Sequence, residues 1–217
     1  MITMIKNLAD FRRVYSKGEL LEGEIPLDPL ILFRDWFEEM EKIKDSIEVN
    51  AMTVSTVGVD GFPKNRVVLL KEFNVDGFVF YTNYKSEKGR SLEINPKISL
   101  SFFWPETERQ VIIQGITEKF SEEKAIEYFN CRPRGSQLGA WASNQSSEIA
   151  SRDVLEKCLR ELETEYKDKD VPKPEYWGGY LVRPVFYEFW QGRPNRLHDR
   201  IVFRKEENSW NIKRLAP

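Results

Sequence analysis

Hydrophobic residues in the first part of the chain recur at the spacing of a helix. Between residues 30 and 40 the apolar positions return every three or four residues, which predicts an amphipathic helix running to about Lys44. Asp28 followed by Pro29 is typical of a helix start, because a carboxylate caps the first amides and proline fits the first turn. Residues 4–17 are predicted to form a shorter, partly mobile helix.

From residue 51 onward, short apolar runs and alternating patterns predict strands. Asp60-Gly61 between the first two runs is typical of a hairpin turn. The predicted strands cover residues 51–57, 65–73, 77–82, 98–104, 110–120, 179–190, 200–205 and 209–214. Because consecutive strands joined by tight turns pair antiparallel, the first five predict an antiparallel sheet that curls into a barrel.

Helices are predicted between these strands. They begin near Ser86, Ser121, Ser136 and Ser151, and serine is a residue type that caps helix starts. The fold class is therefore expected to be mainly β with α (α+β), an antiparallel β-barrel with peripheral helices. One domain is expected over residues 1–217, with 1–27 as a partly mobile N-terminal segment.

Composition narrows the function classes. The net charge of −2 lacks the basic excess typical of proteins that bind nucleic acids through phosphates. One histidine and two cysteines without ligand spacing predict no metal site. No apolar run reaches membrane-spanning length, and no secretory signal is visible, so we expect a cytoplasmic protein.

Two cations, Arg66 and Lys71, flank the apolar run at residues 67–70. Their separation is odd, so in a regular strand they face opposite sides and could serve two different anions. Alternatively, both reach solvent at the strand ends. The sequence Ser86-Glu87-Lys88 at a predicted helix start is another possible phosphate-binding corner.

A further cluster surrounds Pro133. Tyr128 and Arg132 are four residues apart and share a helix face, while Ser136 is placed to cap the next helix. A hydroxyl, a guanidinium and a helix N-terminus together suit a phosphate. Ordinary capping beside a surface arginine explains the same residues.

The stretch from Trp190 to Arg200 carries the only histidine of the chain. If the backbone after Asn195 is extended, Arg196, His198 and Arg200 lie on one face and Leu197 on the other. Such a face suits an anionic or electron-rich ligand. An edge strand with a solvated basic face is the alternative.

Several stretches together resemble the pyridoxamine 5′-phosphate oxidase family. The matching motifs are RVVLLK at 66–71, FYTN at 80–83, ERQV at 108–111, YFNCRPRGSQLGAWAS at 128–143, NQSSEI at 144–149, WGGY at 177–180, FWQG at 189–192, RLHDR at 196–200 and RLAP at 214–217. They cover the chain from about Phe11 to Pro217. The resemblance implies a split-barrel homodimer with FMN in a cleft built by both subunits. It also implies oxidation of pyridoxamine or pyridoxine 5′-phosphate by O2 to pyridoxal 5′-phosphate and hydrogen peroxide.

The resemblance also implies roles for individual residues. FMN would be bound by Arg66, Val67, Val68, Leu69, Leu70, Lys71, Tyr81, Thr82, Lys88, Gln110, Gln145, Ser146, Trp190 and Arg200. The substrate would be bound by Arg12, Arg13, Val14, Tyr15, Lys71, Tyr128, Arg132, Ser136, Arg196, Leu197 and His198. Arg196 and His198 would be the catalytic pair, and residues 12–15 would form a lid.

Two positions depart from the family pattern. Glu87 stands where the family often has arginine, which removes a phosphate cation, and Val14 stands where an acidic residue is common. Two alternative functions remain at this stage. One is a split-barrel flavin reductase, and the other is a carrier of FMN or pyridoxal phosphate without catalytic activity.

Overall fold

The computed structural model describes residues 7–43, 48–207 and 209–217. Within them the α-helices are α1 Pro29–Glu41, α2 Glu87–Ile94, α3 Glu122–Cys131, α4 Arg134–Ala142 and α5 Arg152–Glu165. The strands are β1 Ala51–Val57, β2 Pro63–Leu69, β3 Glu72–Asn74, β4 Gly77–Asn83, β5 Lys97–Trp104, β6 Arg109–Lys119, β7 Trp177–Gln191, β8 Asp199–Lys205 and β9 Trp210–Leu215. No helix in these ranges is long and apolar enough to cross a membrane.

The strands form one sheet in the order β2-β1-β5-β6-β7-β4-β3, and β8 pairs with both β7 and β9. The pairs β1–β2, β1–β5, β3–β4, β4–β7 and β8–β9 are antiparallel. The predicted mixture of an antiparallel sheet with helices is confirmed.

The chain divides into two compact units, each built from separate segments. Unit 1 comprises Met1–Val49, Phe103–Val111 and Glu188–Pro217, and unit 2 comprises Asn50–Phe102 and Ile112–Tyr187. The prediction that the whole chain is a single domain stays a prediction.

Helix α1 begins as its sequence predicts and packs its apolar face in unit 1. The Asp28 carboxylate accepts a hydrogen bond from the Leu30 amide at 2.9 Å, so the first turn is capped. Phe33 is fully buried, and the Trp36 ring meets the Phe189 ring edge to face at 5.2 Å. The helix ends at Glu41, while the predicted end at residue 44 lies outside the described residues.

The prediction of one continuous strand over residues 65–73 is wrong, because the backbone pairs with a different strand after Leu70. Strand β2 pairs with β1, and the Leu70 amide still bonds to the Asn50 carbonyl at 2.8 Å. The next amide, that of Lys71, bonds instead to the Val79 carbonyl of β4 at 2.9 Å. Arg66 and Lys71 therefore do not belong to one regular strand, and the argument from alternation does not apply to them.

The predicted helix over residues 4–17 is wrong where the structure describes it, in residues 7–17. The amides of Ser16 and Lys17 donate to the carboxylate of Glu108, at 2.8 and 3.0 Å, instead of to helical carbonyls. A long-range anchor therefore overrides the local helical preference. The predicted mobility of residues 1–27 stays a prediction.

Ser136 does not cap helix α4, contrary to the sequence prediction. The helix begins at Arg134, so Ser136 lies in its first turn, and its amide donates to the Pro133 carbonyl at 2.8 Å. Pro133 fixes the backbone before the helix, which allows the helix to start three residues earlier than a cap at Ser136 predicts.

Candidate functional site

A cavity of about 600 Å³ opens within unit 2, a volume in the range of small-molecule sites. Its walls are formed by β2, β4, α2, α3, α4 and the start of β7. The residues that line it are Val67, Val68, Leu69, Lys71, Tyr81, Thr82, Asn83, Lys88, Tyr128, Arg132, Pro133, Ser136, Gly139, Ala140, Ser143, Gln145 and Trp177. The structure thus brings together most of the unit 2 residues that were predicted to bind FMN or the substrate.

Lys88 is a buried cation at one end of this cavity, only 7% exposed. Its ammonium donates to Thr82 Oγ1 at 3.0 Å and to Gln145 Oε1 at 3.1 Å. Burial, assisted by the charge of nearby Arg66 and opposed by Glu87, lowers the pKa of Lys88 to about 8. Among the described residues no carboxylate forms a salt bridge with Lys88, so the site favours an anionic ligand.

Arg66 is fixed beside this end by several acceptors. Its Nη1 donates to Thr56 Oγ1 and to the Lys64 carbonyl, both at 2.8 Å. Its Nη2 lies 3.8 Å from Glu87 Oε2, and Glu87 Oε1 lies 3.5 Å from Lys64 Nζ. Burial lowers the pKa of Arg66, whereas Glu87 raises it. Arg66 is close enough to Lys88 to influence its pKa, although Arg66 does not line the cavity.

Arg132 is the central cation of a second group in the same cavity. Its guanidinium carbon lies 4.8 Å from the centre of the Trp177 ring. Its Nη1 atom is buried and has no hydrogen-bond partner in the part of the chain that the structure describes. Burial lowers the pKa of Arg132. A buried guanidinium nitrogen without a partner favours the binding of an anionic ligand. Lys71, Tyr128 and Ser136 line the same cavity.

An aromatic wall completes the cavity. The ring of Tyr81 stacks on Tyr128 at 4.3 Å and on Trp177 at 5.3 Å. Burial raises the pKa of Tyr81 to about 12, so its hydroxyl stays neutral at physiological pH. Trp177 was not nominated from the sequence, although it opens the quoted WGGY motif.

The predicted flavin contacts in unit 2 differ in whether they line the cavity. Val67, Val68 and Leu69 line the cavity, but Leu70 is 3% exposed and lies outside its lining. Ser146 also lies outside the lining, on an exposed turn with a φ of 70°. The roles of these residues in binding stay predictions.

In unit 1, three predicted residues form an aromatic cluster. The His198 ring lies 4.7 Å from Trp190 and 5.7 Å from Tyr15. The Arg193 amide donates to His198 Nδ1 at 3.0 Å, so in the neutral ring Nε2 carries the proton. Burial, assisted by the Arg196 charge, lowers the pKa of His198, so the ring is neutral at physiological pH.

The segment between Asn195 and His198 is not extended, so its predicted alternation is wrong. Asn195 and Arg196 have φ values of 58° and 63° in a tight turn, a left-handed conformation that is uncommon for residues other than glycine. The bond from the Arg193 amide to His198 closes this turn. Leu197 is exposed.

Besides Trp190, the predicted flavin contacts in unit 1 are Arg200 and Gln110. Arg200 Nε donates to Glu188 Oε1 at 2.7 Å, and its Nη1 donates to the Ala216 carbonyl at 3.0 Å. Gln110 lies half-buried in β6. Their proposed contact with FMN stays a prediction.

Among the predicted lid residues, Arg12, Arg13 and Val14 are exposed. Tyr15 is half-buried and meets the Trp190 ring edge to face at 5.7 Å. Closure of these residues over a substrate stays a prediction.

Glu108 holds the segment that follows Tyr15, and sequence reasoning did not nominate it. Its side chain is 3% exposed, and its carboxylate binds the amides of Ser16 and Lys17. The Glu108 carbonyl also accepts from the Gly192 amide at 2.8 Å. The only available signal was its place in the ERQV motif, since its partners are some ninety residues away in sequence.

Comparison with known proteins agrees with this geometry. Residues 38–165 match the family model described as pyridoxamine 5′-phosphate oxidase. Residues 177–217 match the model described as the pyridoxine 5′-phosphate oxidase C-terminal dimerisation region. The chain is thus similar to this family over both of the regions that the two models describe.

Individual relatives match over nearly their whole length. A pyridoxine/pyridoxamine 5′-phosphate oxidase of Christiangramia forsetii is 59% identical, over 99% of this chain and 100% of the relative. The corresponding protein of Flavobacterium johnsoniae is 58% identical, over 98% and 100%. The crystal structure of PhzG from Burkholderia lata, in complex with tetrahydrophenazine-1-carboxylic acid, is 26% identical with a TM-score of 0.85, over 93% of this chain and 100% of that one.

The predicted split-barrel fold class is confirmed by such neighbours. They include an FMN-binding protein of Nostoc punctiforme related to pyridoxamine 5′-phosphate oxidase, with a TM-score of 0.69 at 16% identity, over 89% of this chain and 100% of that one. The family model, the identity of the relatives and the fold lead to the same conclusion: the chain belongs to the pyridoxamine 5′-phosphate oxidase family.

Proposed function

We propose that this protein is an FMN-dependent oxidase that converts pyridoxamine 5′-phosphate and pyridoxine 5′-phosphate to pyridoxal 5′-phosphate. A relative named pyridoxine/pyridoxamine 5′-phosphate oxidase is 59% identical over 99% of this chain. The structural observation that carries the proposal is one cavity with two separate groups of cations, centred on Lys88 and Arg132. FMN and the substrate each bring one phosphate, so two anion sites in one cavity match the pair of ligands.

The Lys88 group is proposed to hold the FMN phosphate. A buried ammonium with neutral partners provides a donor for a phosphate, and the fixed guanidinium of Arg66 adds a second positive charge beside it. Thr82 and Gln145 already bind Lys88 and are near enough to contact the same ligand. The apolar residues Val67, Val68 and Leu69 and the ring of Tyr81 offer surface for the isoalloxazine. FMN, when bound, supplies the hydride acceptor and the reactivity with O2 that yields hydrogen peroxide.

The Arg132 group is proposed to hold the substrate phosphate. The unpaired Nη1 of Arg132 supplies a donor, and Lys71, Tyr128 and Ser136 add an ammonium and two hydroxyls on the same cavity wall. Stacking on Trp177 restrains the guanidinium, so little side-chain freedom is lost on binding. An anchored phosphate would hold the pyridine ring in one orientation, which is a proximity effect.

Arg196 and His198 are proposed to act on the substrate ring. The neutral His198 ring, with its proton on Nε2, can donate one hydrogen bond to a ring oxygen while Nδ1 stays bound to the Arg193 amide. Arg196 supplies a positive charge beside it that can orient the substrate and offset negative charge.

We further propose a cytoplasmic homodimer with FMN at the subunit interface. The match of residues 177–217 to a dimerisation region supports the homodimer. The interface location of FMN rests on the family resemblance, and the cytoplasmic location is the expectation drawn from the sequence.

The test is whether purified protein is yellow and forms pyridoxal 5′-phosphate and hydrogen peroxide from pyridoxine 5′-phosphate. Arg196→Ala and His198→Ala are expected to lower kcat/KM by about 100-fold while bound FMN stays within twofold of wild type. Arg160→Ala, on the exposed face of α5, is the matched control and should keep full activity. A protein that binds FMN without producing peroxide would be a carrier, and NAD(P)H-dependent flavin reduction without pyridoxal phosphate would indicate a reductase.

A further inference from the structure

Glu87 is a carboxylate placed among the cations of the Lys88 group. It begins helix α2, and its two oxygens lie 3.8 Å from Arg66 Nη2 and 3.5 Å from Lys64 Nζ. Its side chain is 47% exposed, so it faces the solvent side of this group while Lys88 is buried behind it. Among the described residues it is the only carboxylate that forms an ion pair with Arg66.

The position of Glu87 has two opposing effects on this group. In the free protein its negative charge offsets the repulsion between Arg66 and Lys88, which both lose hydration through burial. A phosphate that enters between the same cations meets that negative charge at short range. The carboxylate and the phosphate therefore compete for the same positive charges.

The helix start explains only part of this arrangement. An acidic residue in the first turn favours any helix, and the Ser86 hydroxyl already caps α2 through the Gly89 amide at 3.2 Å. A capping role alone would not bring both Glu87 oxygens within 4 Å of cations from strand β2.

We propose that Glu87 acts as a substitute counter-ion for the phosphate site: it stabilises the free protein and weakens the binding of phosphate-bearing ligands, FMN in particular. The proposal rests on the proposed function for the identity of the ligand. It makes Glu87 an affinity-determining residue and assigns it no part in catalysis. Its characteristic sign is that loss of the carboxylate destabilises the free protein and tightens FMN binding.

The experiment compares wild type with Glu87→Gln after removal of FMN. Quenching of flavin fluorescence gives the Kd for FMN and for riboflavin, which has no phosphate, and thermal unfolding gives the Tm of the free protein. Glu87→Gln is expected to bind FMN about three- to tenfold more tightly, to leave riboflavin binding within twofold of wild type, and to lower the Tm by about 1–3 °C. The gain in FMN affinity should shrink as salt is raised from low ionic strength, because the competing charge is half-exposed.

Glu93→Gln is the matched control, since it removes one exposed negative charge from the same helix. It should leave the FMN Kd within twofold of wild type. An unchanged or weaker FMN affinity in Glu87→Gln would overturn the proposal, as would an equal gain for riboflavin or for the Glu93 variant. If wild type binds neither flavin, the proposed function fails first. If wild type binds FMN and the Glu87 variant behaves like it, only the present inference fails.

Discussion

At the scale of single residues, the cavity in unit 2 is defined by cations whose hydrogen bonding is incomplete. Lys88 is buried between two neutral acceptors, and Arg132 has a buried nitrogen without a partner in the described part of the chain. Buried charges are costly unless they are paired, so both residues gain when an anion enters. The stacking of Arg132 on Trp177 and the hydrogen bonds of Lys88 hold the two charges in place before binding.

The pKa of Lys88 gives FMN binding a defined pH dependence. Below a pKa of about 8 the amine is charged and attracts a phosphate, whereas above it the neutral amine does not. The Kd for FMN in wild type is therefore expected to rise about tenfold between pH 7 and pH 9. Flavin fluorescence titrations across this range measure the change.

Lys88→Arg separates this effect from other titrations, because a guanidinium stays charged over the same range. Its FMN Kd should vary less than threefold between pH 7 and pH 9, and riboflavin should show little pH dependence with either protein. Equal slopes for wild type and Lys88→Arg would rule out Lys88 as the titrating group.

At the scale of elements, the segment around Tyr15 is fixed by one side chain from the turn before β6. Glu108 binds two successive amides, and the backbone of the same residue contacts Gly192 after β7. A methyl group added at Gly192 would lie 2.9 Å from the Tyr15 side chain, so glycine is needed for this close packing. Anchor and packing together hold the Tyr15 ring against Trp190 and His198.

Replacement of Glu108 by alanine should release this segment while the rest of unit 1 stays folded. Two partly buried amides lose their acceptor, so the free energy of local opening should fall by about 1–3 kcal/mol. Cleavage by trypsin after Lys17 is expected to accelerate about tenfold or more, and mass spectrometry measures the rate of this cleavage. Glu38→Ala on helix α1 is the control, because within the described residues its carboxylate forms only an exposed ion pair with Arg34. Identical cleavage rates in both variants and wild type would contradict the anchoring role.

The elements themselves were largely predictable, and the reasons are local. Apolar periodicity, the cap at Asp28 and the turn at Asp60-Gly61 depend on neighbouring residues, and strand β1 has the bounds that its pattern predicts. The switch of partner at Leu70 was not predictable, because it depends on Val79 rather than on the local sequence.

The contacts that hold the candidate site residues in place were not predictable from local sequence, for a similar reason. The nearness of Gln145 to Lys88 joins residues 57 positions apart, and the anchoring of Ser16 by Glu108 joins residues 92 apart. Left-handed residues such as Asn195 and Arg196 were missed because no glycine marks them. The resemblance to a family supplied most of the nominated residues, whereas composition and spacing alone left several readings open.

At the scale of the whole molecule, the match to a dimerisation region covers residues 177–217, which include β7, β8 and β9. The protein is expected to sediment as a dimer at micromolar concentration. Because association favours the folded state, the Tm should rise by a few degrees when the protein concentration is raised 100-fold. A monomeric mass together with a constant Tm would contradict the proposed homodimer.

The division of unit 1 into separate segments has a consequence for biosynthesis. Its segments include Met1–Val49 and Glu188–Pro217. During translation the first segment therefore cannot pack against the last until the end of the chain has been synthesised. Until Phe189 emerges from the ribosome, the Trp36 ring lacks its edge-to-face partner. Phe203, whose ring packs on Phe189, emerges later still. Domains usually fold in the order of synthesis, but here the packing of helix α1 can be completed only after all of unit 2 has been translated. The nascent chain therefore carries exposed aromatic surface through most of translation, and cellular yield should depend on chaperone capacity more than the stability of the finished protein would indicate.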